Sequence, residues 1–368
     1  MRSEAEKIKA GYGSLAVEAS SAEDGGMDID DDEEDETGLE QRRTAVRCPI
    51  PEQPGSWASS VRIIDPKTAD TVDVLDLDGN DAALCCCAVQ FHSRGGEVLL
   101  AVGGSTEMKM NPVSTKESFV ALYRIVDNRL TLLHRTKVDG IVVAMTQFQG
   151  KLLIGCGGSI KLYDMGKKQL LMKTSLEIKE RGMVKTLQAA GDRVYVGDVN
   201  CSVSFIKFDA SQNKFHVFCD DSMQPRHIVA QELLDVNTVI ASDKFGNIFV
   251  LRAPKGAVEE TVSINAGLWE SGTAAVTAGR SKFEVLCHYY AGEIVTGLKR
   301  ASLIAGGSEA VVYTTVSGKI GALLPIKTRD DVEFFSTVER ELRLESSIVG
   351  RDQGQYRSMY APVKACGR

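Results

Sequence analysis

The chain has 368 residues, 43% of them hydrophobic and 25% charged, the usual balance of a globular domain. No apolar run approaches the roughly 20 residues of a membrane helix, and the opening residues carry no apolar signal-peptide core. The net charge of −7 is unevenly placed: residues 1–46 hold 14 acids against 5 bases, and the remainder 36 acids against 38 bases. A nearly neutral body excludes nucleic-acid binding by bulk electrostatics.

In chain order, the acidic run from Glu23 to Glu36 repels itself and has nothing to bury, so residues 1–46 are predicted to be a disordered acidic tail. From Trp57 to Pro325 the sequence changes to short runs of Val, Ile, Leu, Phe and Tyr, each closed by Gly, Asn or Asp. The turns are Asp78-Gly79, Asp127-Asn128, Gln149-Gly150, Gly191-Asp192, Gln212-Asn213, Gly246-Asn247 and Ser317-Gly318. These residue types accept the positive φ of tight hairpins. Antiparallel sheet is predicted throughout.

A repeat underlies the pattern. An apolar strand ending in a small residue begins at Val98 and returns at Leu152, Val194, Val239 and Val311, at spacings of 54, 42, 45 and 72 residues. A unit of about 40–45 residues holding four strands is one blade of a β-propeller. The long interval contains 253–279, a stretch without strand alternation, which reads as a loop inserted within a blade. From Asp330 to Glu345, Val332, Phe335, Val338 and Leu342 recur at helical spacing, which predicts a short helix after the last blade. The domains expected are therefore a tail at 1–46, blades over 57–326, and a helix with a closing segment at 327–368. Trp57 and Trp269 do not precede Asp, so the blades are not of the WD40 type.

Reactive chemistry finds no complete motif. Gly103-Gly104-Ser105, Gly157-Gly158-Ser159 and Gly306-Gly307-Ser308 each begin a nucleophile elbow without its final Gly, and read as blade turns. No Walker A or dinucleotide fingerprint is complete. The nine cysteines lack a C-x-x-C pair and the five histidines lack ligand spacing, so no metal, cofactor, small-molecule substrate or enzymatic activity is expected. Around Lys244–Val250 a faint likeness to an RNA-recognition strand is better explained by a hairpin. There Asp243 bonds backbone amides, Gly246 takes positive φ and Asn247 starts the next strand; Gly246→Val should then be severe and Gly246→Asn milder. Two clusters are candidates for partner contact, Arg226 with His227, and Arg351 with Asp352 and Arg357. In each, the arginines either pair internally or reach a neighbouring subunit.

Four segments carry a resemblance: Leu153–Met172, Ala241–Ala253, Gly306–Ile326 and Gly350–Lys364. With them, 57–364 resembles the C-terminal propeller region shared by three large proteins. These are the third subunit of splicing factor 3b and the large subunits of damage-specific DNA-binding protein and of the cleavage and polyadenylation specificity factor; the splicing member is most similar. The resemblance implies an all-β fold of the seven-bladed β-propeller type, with two further propellers preceding it and a helical extension following. The chain is accordingly expected to be a fragment or a reduced homologue, with one blade incomplete where the family uses a distant N-terminal strand. It further implies a nuclear, non-catalytic scaffold of the U2 small nuclear ribonucleoprotein in pre-mRNA splicing and branch-site recognition. Its partners would be a helical-repeat subunit and a small helical subunit, with RNA touched at most indirectly and no membrane. The alternative implied by the damage-binding relative is an adaptor of a cullin-type ubiquitin ligase or damaged-DNA-binding complex.

Overall fold

A computed structural model describes residues 49, 51, 53–77, 79–178, 182–221, 225–257, 281–304, 306–326 and 328–345. The predicted tail at 1–46 lies outside them. The first pair of strands, β1 (Ser60–Ile64) and β2 (Thr71–Asp76), forms a two-stranded sheet. The second sheet joins β3 (Asp81–Gln90), β4 (Val98–Thr106), β7 (Glu117–Val126) and β8 (Arg129–Val138). A small ribbon, β5 (Lys109–Met110) and β6 (Val113–Ser114), rises from its middle turn. The third sheet joins β9 (Val142–Phe148), β10 (Lys151–Cys156), β11 (Ser159–Met165) and β12 (Leu170–Glu177). The fourth joins β13 (Val184–Ala190), β14 (Arg193–Asp198), β15 (Ser202–Asp209) and β16 (Lys214–Asp220).

In the fifth sheet, β17 (Ile228–Asp235), β18 (Thr238–Asp243) and β19 (Asn247–Arg252) are followed by the inserted stretch, most of which lies outside the described residues. The chain re-enters through β20 (Ser281–Lys282), which pairs parallel with β16 of the preceding sheet, and then adds β21 (Glu284–Tyr290) beside β19. The sixth sheet has β22 (Val295–Ser302), β23 (Glu309–Thr315) and β24 (Ile320–Leu323), with β24 at its edge among the described residues. Apart from the β16–β20 pair, every ladder is antiparallel and joins strands in a simple meander.

The architecture is propeller-type and all-β. The first strands β3, β9, β13, β17 and β22 neighbour one another in that order, forming an inner arc from which the sheets radiate. The five repeated apolar runs are the second strands β4, β10, β14, β18 and β23. Such a strand is covered on both faces, which is why it reads as an unbroken apolar run rather than an alternation. In β10, Leu152 and Ile154 pack towards the second sheet with Leu99 and Val120, while Leu153 packs towards the fourth with Val194 and Ile206. All of these are fully buried, and each contributes about 1.5–3 kcal/mol by leaving water.

The small residue near the end of the second strand has a packing cause. A β-carbon on Gly103 would lie 2.8 Å from Val142 Cγ1, on Gly155 2.5 Å from Val184 Cγ1, and on Gly197 2.8 Å from Ile228 Cγ2. Each partner opens the first strand of the next sheet. In the fifth sheet Ser242 holds this place and its Oγ donates to the Val295 carbonyl at 3.3 Å. Small residues here let neighbouring blades close at their inner ends.

All seven predicted turns contain a positive φ. Asp127 and Asn128 (+48° and +61°) and Gln149 and Gly150 (+47° and +67°) have it at both positions, while Asp78 lies outside the described residues and Gly79 is at +64°. The C-terminal helix α1 spans Arg329–Leu344, and the Thr328 hydroxyl accepts from the Asp331 amide at 3.2 Å. Its stripe of Val332, Phe335, Val338 and Leu342 is left 38–54% exposed.

Candidate partner-binding face

The sequence-derived candidates converge on the junction of the fourth and fifth sheets. Arg226 and His227 lie between β16 and β17, and Asp243, Gly246 and Asn247 form the turn between β18 and β19. The two segments touch, since the Lys244 amide donates to the His227 carbonyl at 3.0 Å.

Arg226 is 5% exposed. Its Nη1 donates to Asp221 Oδ2 at 2.9 Å, and its guanidinium lies 4.1 Å from the centre of the Phe249 ring. The Ser202 hydroxyl donates to the same carboxylate oxygen at 2.6 Å, and the Ser202 amide donates to the Arg226 carbonyl at 3.1 Å. Burial pushes the Asp221 carboxyl upward, against the pull of Arg226 and Ser202. The arginine therefore faces inward as a bolt between sheets. His227 is only half-buried. Burial, then the charges of Lys244 and Lys185, holds its imidazole below the ordinary range, outweighing the opposite pull of Asp198 and Asp243.

Asp243 is 3% exposed and organises its turn. Its Oδ1 accepts from the amides of Phe245 (2.9 Å) and Asn247 (3.0 Å), and Oδ2 accepts from Asn247 Nδ2 at 2.7 Å. Gly246 has φ +87°, and a β-carbon there would lie 2.8 Å from the Glu293 carbonyl oxygen in the next inter-sheet connection. Asp198 holds the corresponding place in the fourth sheet, with Oδ1 accepting from the amides of Asn200 at 2.6 Å and Cys201 at 2.8 Å. Arg351, Asp352 and Arg357 lie outside the described residues.

Sequence reasoning did not pick out Lys185, whose lone position on β13 gave no signal, and met Lys244 only as the start of the Lys244–Val250 hairpin. It also did not find the cavity of about 890 Å³ between the fifth and sixth sheets, lined by Ile240, Val250, Tyr289, Val311 and Leu323. The lining of that cavity is chiefly apolar. The seven described cysteines are free, and burial raises the thiols of Cys85, Cys156 and Cys219 to about 12, which leaves them protonated at neutral pH.

Radial sheets, an inner arc of first strands and turns held by inward-facing carboxylates define a propeller-type β-domain. The chain belongs to the CPSF A subunit region family, whose pattern matches residues 58–366. It is 42% identical over 316 residues to a probable splicing factor 3B subunit 3 of Dictyostelium discoideum, covering 84% of this chain and 25% of that protein. It is 40% identical over 315 residues to the pre-mRNA-splicing factor RSE1 of Mycosarcoma maydis, covering 84% and 26%. Against splicing factor 3B subunit 3 of Danio rerio the identity is 37% over 316 residues, covering 84% and 26%. The chain thus spans about a quarter of the length of these curated relatives.

Proposed function

We propose that this chain is a non-catalytic scaffold of splicing factor 3b within the U2 small nuclear ribonucleoprotein, acting in pre-mRNA splicing and branch-site recognition. The observation that carries this reading is the 37–42% identity, across 84% of the chain, to proteins named for that splicing factor. The fold supports it: rigid sheets present turns and rims to other subunits, and the buried polar groups of the candidate face hold the scaffold rather than activate a nucleophile.

The partners in this reading are a helical-repeat subunit and a small helical subunit, met in the nucleus through protein–protein contacts. RNA is touched at most indirectly. Affinity purification of the full chain from nuclear extract, followed by mass spectrometry, tests it. Recovery of splicing factor 3b subunits is expected. Recovery of a cullin scaffold in their place would overturn it in favour of a ligase adaptor.

A further inference from the structure

Helix α1 buries none of its side chains among the described residues. Isolated helices of up to about 15 residues are marginal in water, because most helical stability comes from packing an amphipathic face. At 16 residues α1 is barely longer. Its local supports are the Thr328 cap and two ion pairs one turn apart, Arg329 with Glu333 at 3.1 Å and Arg343 with Glu339 at 2.6 Å. Caps and exposed pairs of this kind stabilise only modestly, which leaves the uncovered apolar face as the missing support.

That face is a narrow seam. Val332, Phe335, Val338 and Leu342 follow at intervals of three, three and four residues. The Phe334 ring, in a residue 62% exposed, meets the Phe335 ring edge to face with centroids 5.4 Å apart. A seam of that spacing takes the ridge of a second helix better than the flat face of a sheet. Charge narrows the occupant further. Residues 329–345 hold six acids against three bases. Arg329 and Arg343 are paired as above and Arg340 lies 3.8 Å from Glu341, whereas Asp330, Asp331 and Glu345 form no ion pair among the described residues. These surplus carboxylates bracket the seam, two before Val332 and one after Leu342.

We propose that α1 is a docking surface for an amphipathic helix of a partner protein, one whose apolar stripe carries Lys or Arg at both ends. Phe335 and Leu342 are the anchors, and the bracketing carboxylates set the preference for a basic partner. A second copy of α1 fits less well, because it would bring the same excess of acid to the seam. The surface is defined by its own chemistry and stands whether or not the splicing assembly proposed above is recovered.

The test is fluorescence anisotropy with the full chain and two labelled helical peptides of about eighteen residues. Both carry the same Leu and Ile seam, flanked in one by Lys and Arg and in the other by Glu. The basic peptide is expected to bind at least about tenfold more tightly at low ionic strength, with the difference shrinking as salt rises. F335A/L342A should weaken the basic peptide at least about tenfold and leave the helix intact, since Ala is the best helix former. D330N/E345Q should reduce the preference for the basic peptide. The control M110D/V113D changes two comparably exposed apolar residues on the β5–β6 ribbon and should bind as the parent does. Equal binding of the two peptides, or no effect of F335A/L342A, would overturn the proposal. So would no binding of the basic peptide by the full chain, the result expected if residues 346–368 already cover the seam. A dimer of the parent chain that F335A/L342A abolishes would overturn it in favour of a second copy.

Discussion

Gly155 near the end of β10 is in contact with Val184 at the start of β13, and the gap between them has no room for a methyl group. A β-carbon on Gly155 would come within 2.5 Å of Val184 Cγ1 and 2.8 Å of its Cβ. Both atoms belong to a β-branched side chain that is fully buried and stiff at χ1, so it cannot swing away. Gly155→Ala is therefore expected to destabilise the domain by about 1–3 kcal/mol through overpacking. Val184→Ala should recover part of that loss when combined with it, although it opens a small cavity alone. Denaturant unfolding of the two single variants and the double variant measures the coupling. Strict additivity would show that the two residues do not meet.

Much of the fold was legible because its causes are local. The runs at Val98, Leu152, Val194, Val239 and Val311 mark second strands, since burial on two faces forces an unbroken apolar sequence. The turns at Asp127-Asn128 and Gln149-Gly150 were legible because few residue types accept paired positive φ. The parallel pairing of β20 with β16 was not, because Ser281 and Lys282 are too short a segment to carry a pattern. The candidate face was half legible. Arg226 and His227 stood out as a candidate contact cluster and Asp243–Asn247 as turn chemistry, yet nothing in the sequence brings Asp221, Ser202 and Phe249 around Arg226. That enclosure is made by strands from two sheets.

Arg226 and Asp221 should behave as a coupled buried pair. Their side chains are 3% and 7% exposed, so removing one partner strands the other charge away from water. Arg226→Met or Asp221→Leu alone is expected to cost about 3–5 kcal/mol, whereas the double replacement should cost much less than the sum. Thermal or denaturant unfolding of the three variants decides it. Near-silent single variants would mean that the pair is solvated and available for external contact.

Gly246 combines two constraints that the sequence had shown as one. The φ of +87° disfavours L-residues, and on that ground alone Asn would be tolerated better than Val. The Glu293 backbone also stands 2.8–3.1 Å from any β-carbon placed there, and it cannot rotate aside as a side chain would. Gly246→Ala and Gly246→Asn are therefore both expected to destabilise by more than the about 1 kcal/mol of a left-handed turn glycine, with Gly246→Val worse again. A Gly246→Asn protein that melts within a degree of the parent would show that the β18–β19 turn does not press on the Glu293 connection.

Two half-buried histidines give the domain a defined acid response. Burial, reinforced by Arg94, lowers the pKa of His134 from its ordinary 6.5; burial, reinforced by Lys244 and Lys185, does the same for His227. The fold thus favours both neutral imidazoles, and the unfolded chain takes up their protons first as the pH falls. Their contribution to stability is fully present above the unfolded value near 6.5 and is lost as the pH drops through it towards each lower folded value. His134 also keeps both ring nitrogens buried with no hydrogen-bond partner among the described residues, so even the neutral ring is poorly accommodated. His134→Leu should consequently raise the melting temperature at about pH 7.5 and raise it further at about pH 5.5, because the replacement has no proton to gain. His227→Asn should narrow the difference between the two pH values without the gain at neutral pH. Melting curves of the parent and both variants at the two pH values test this. If His134→Leu melts lower than the parent at both, the ring is bonded in solution and the assignment of its neutral, unpartnered state is wrong.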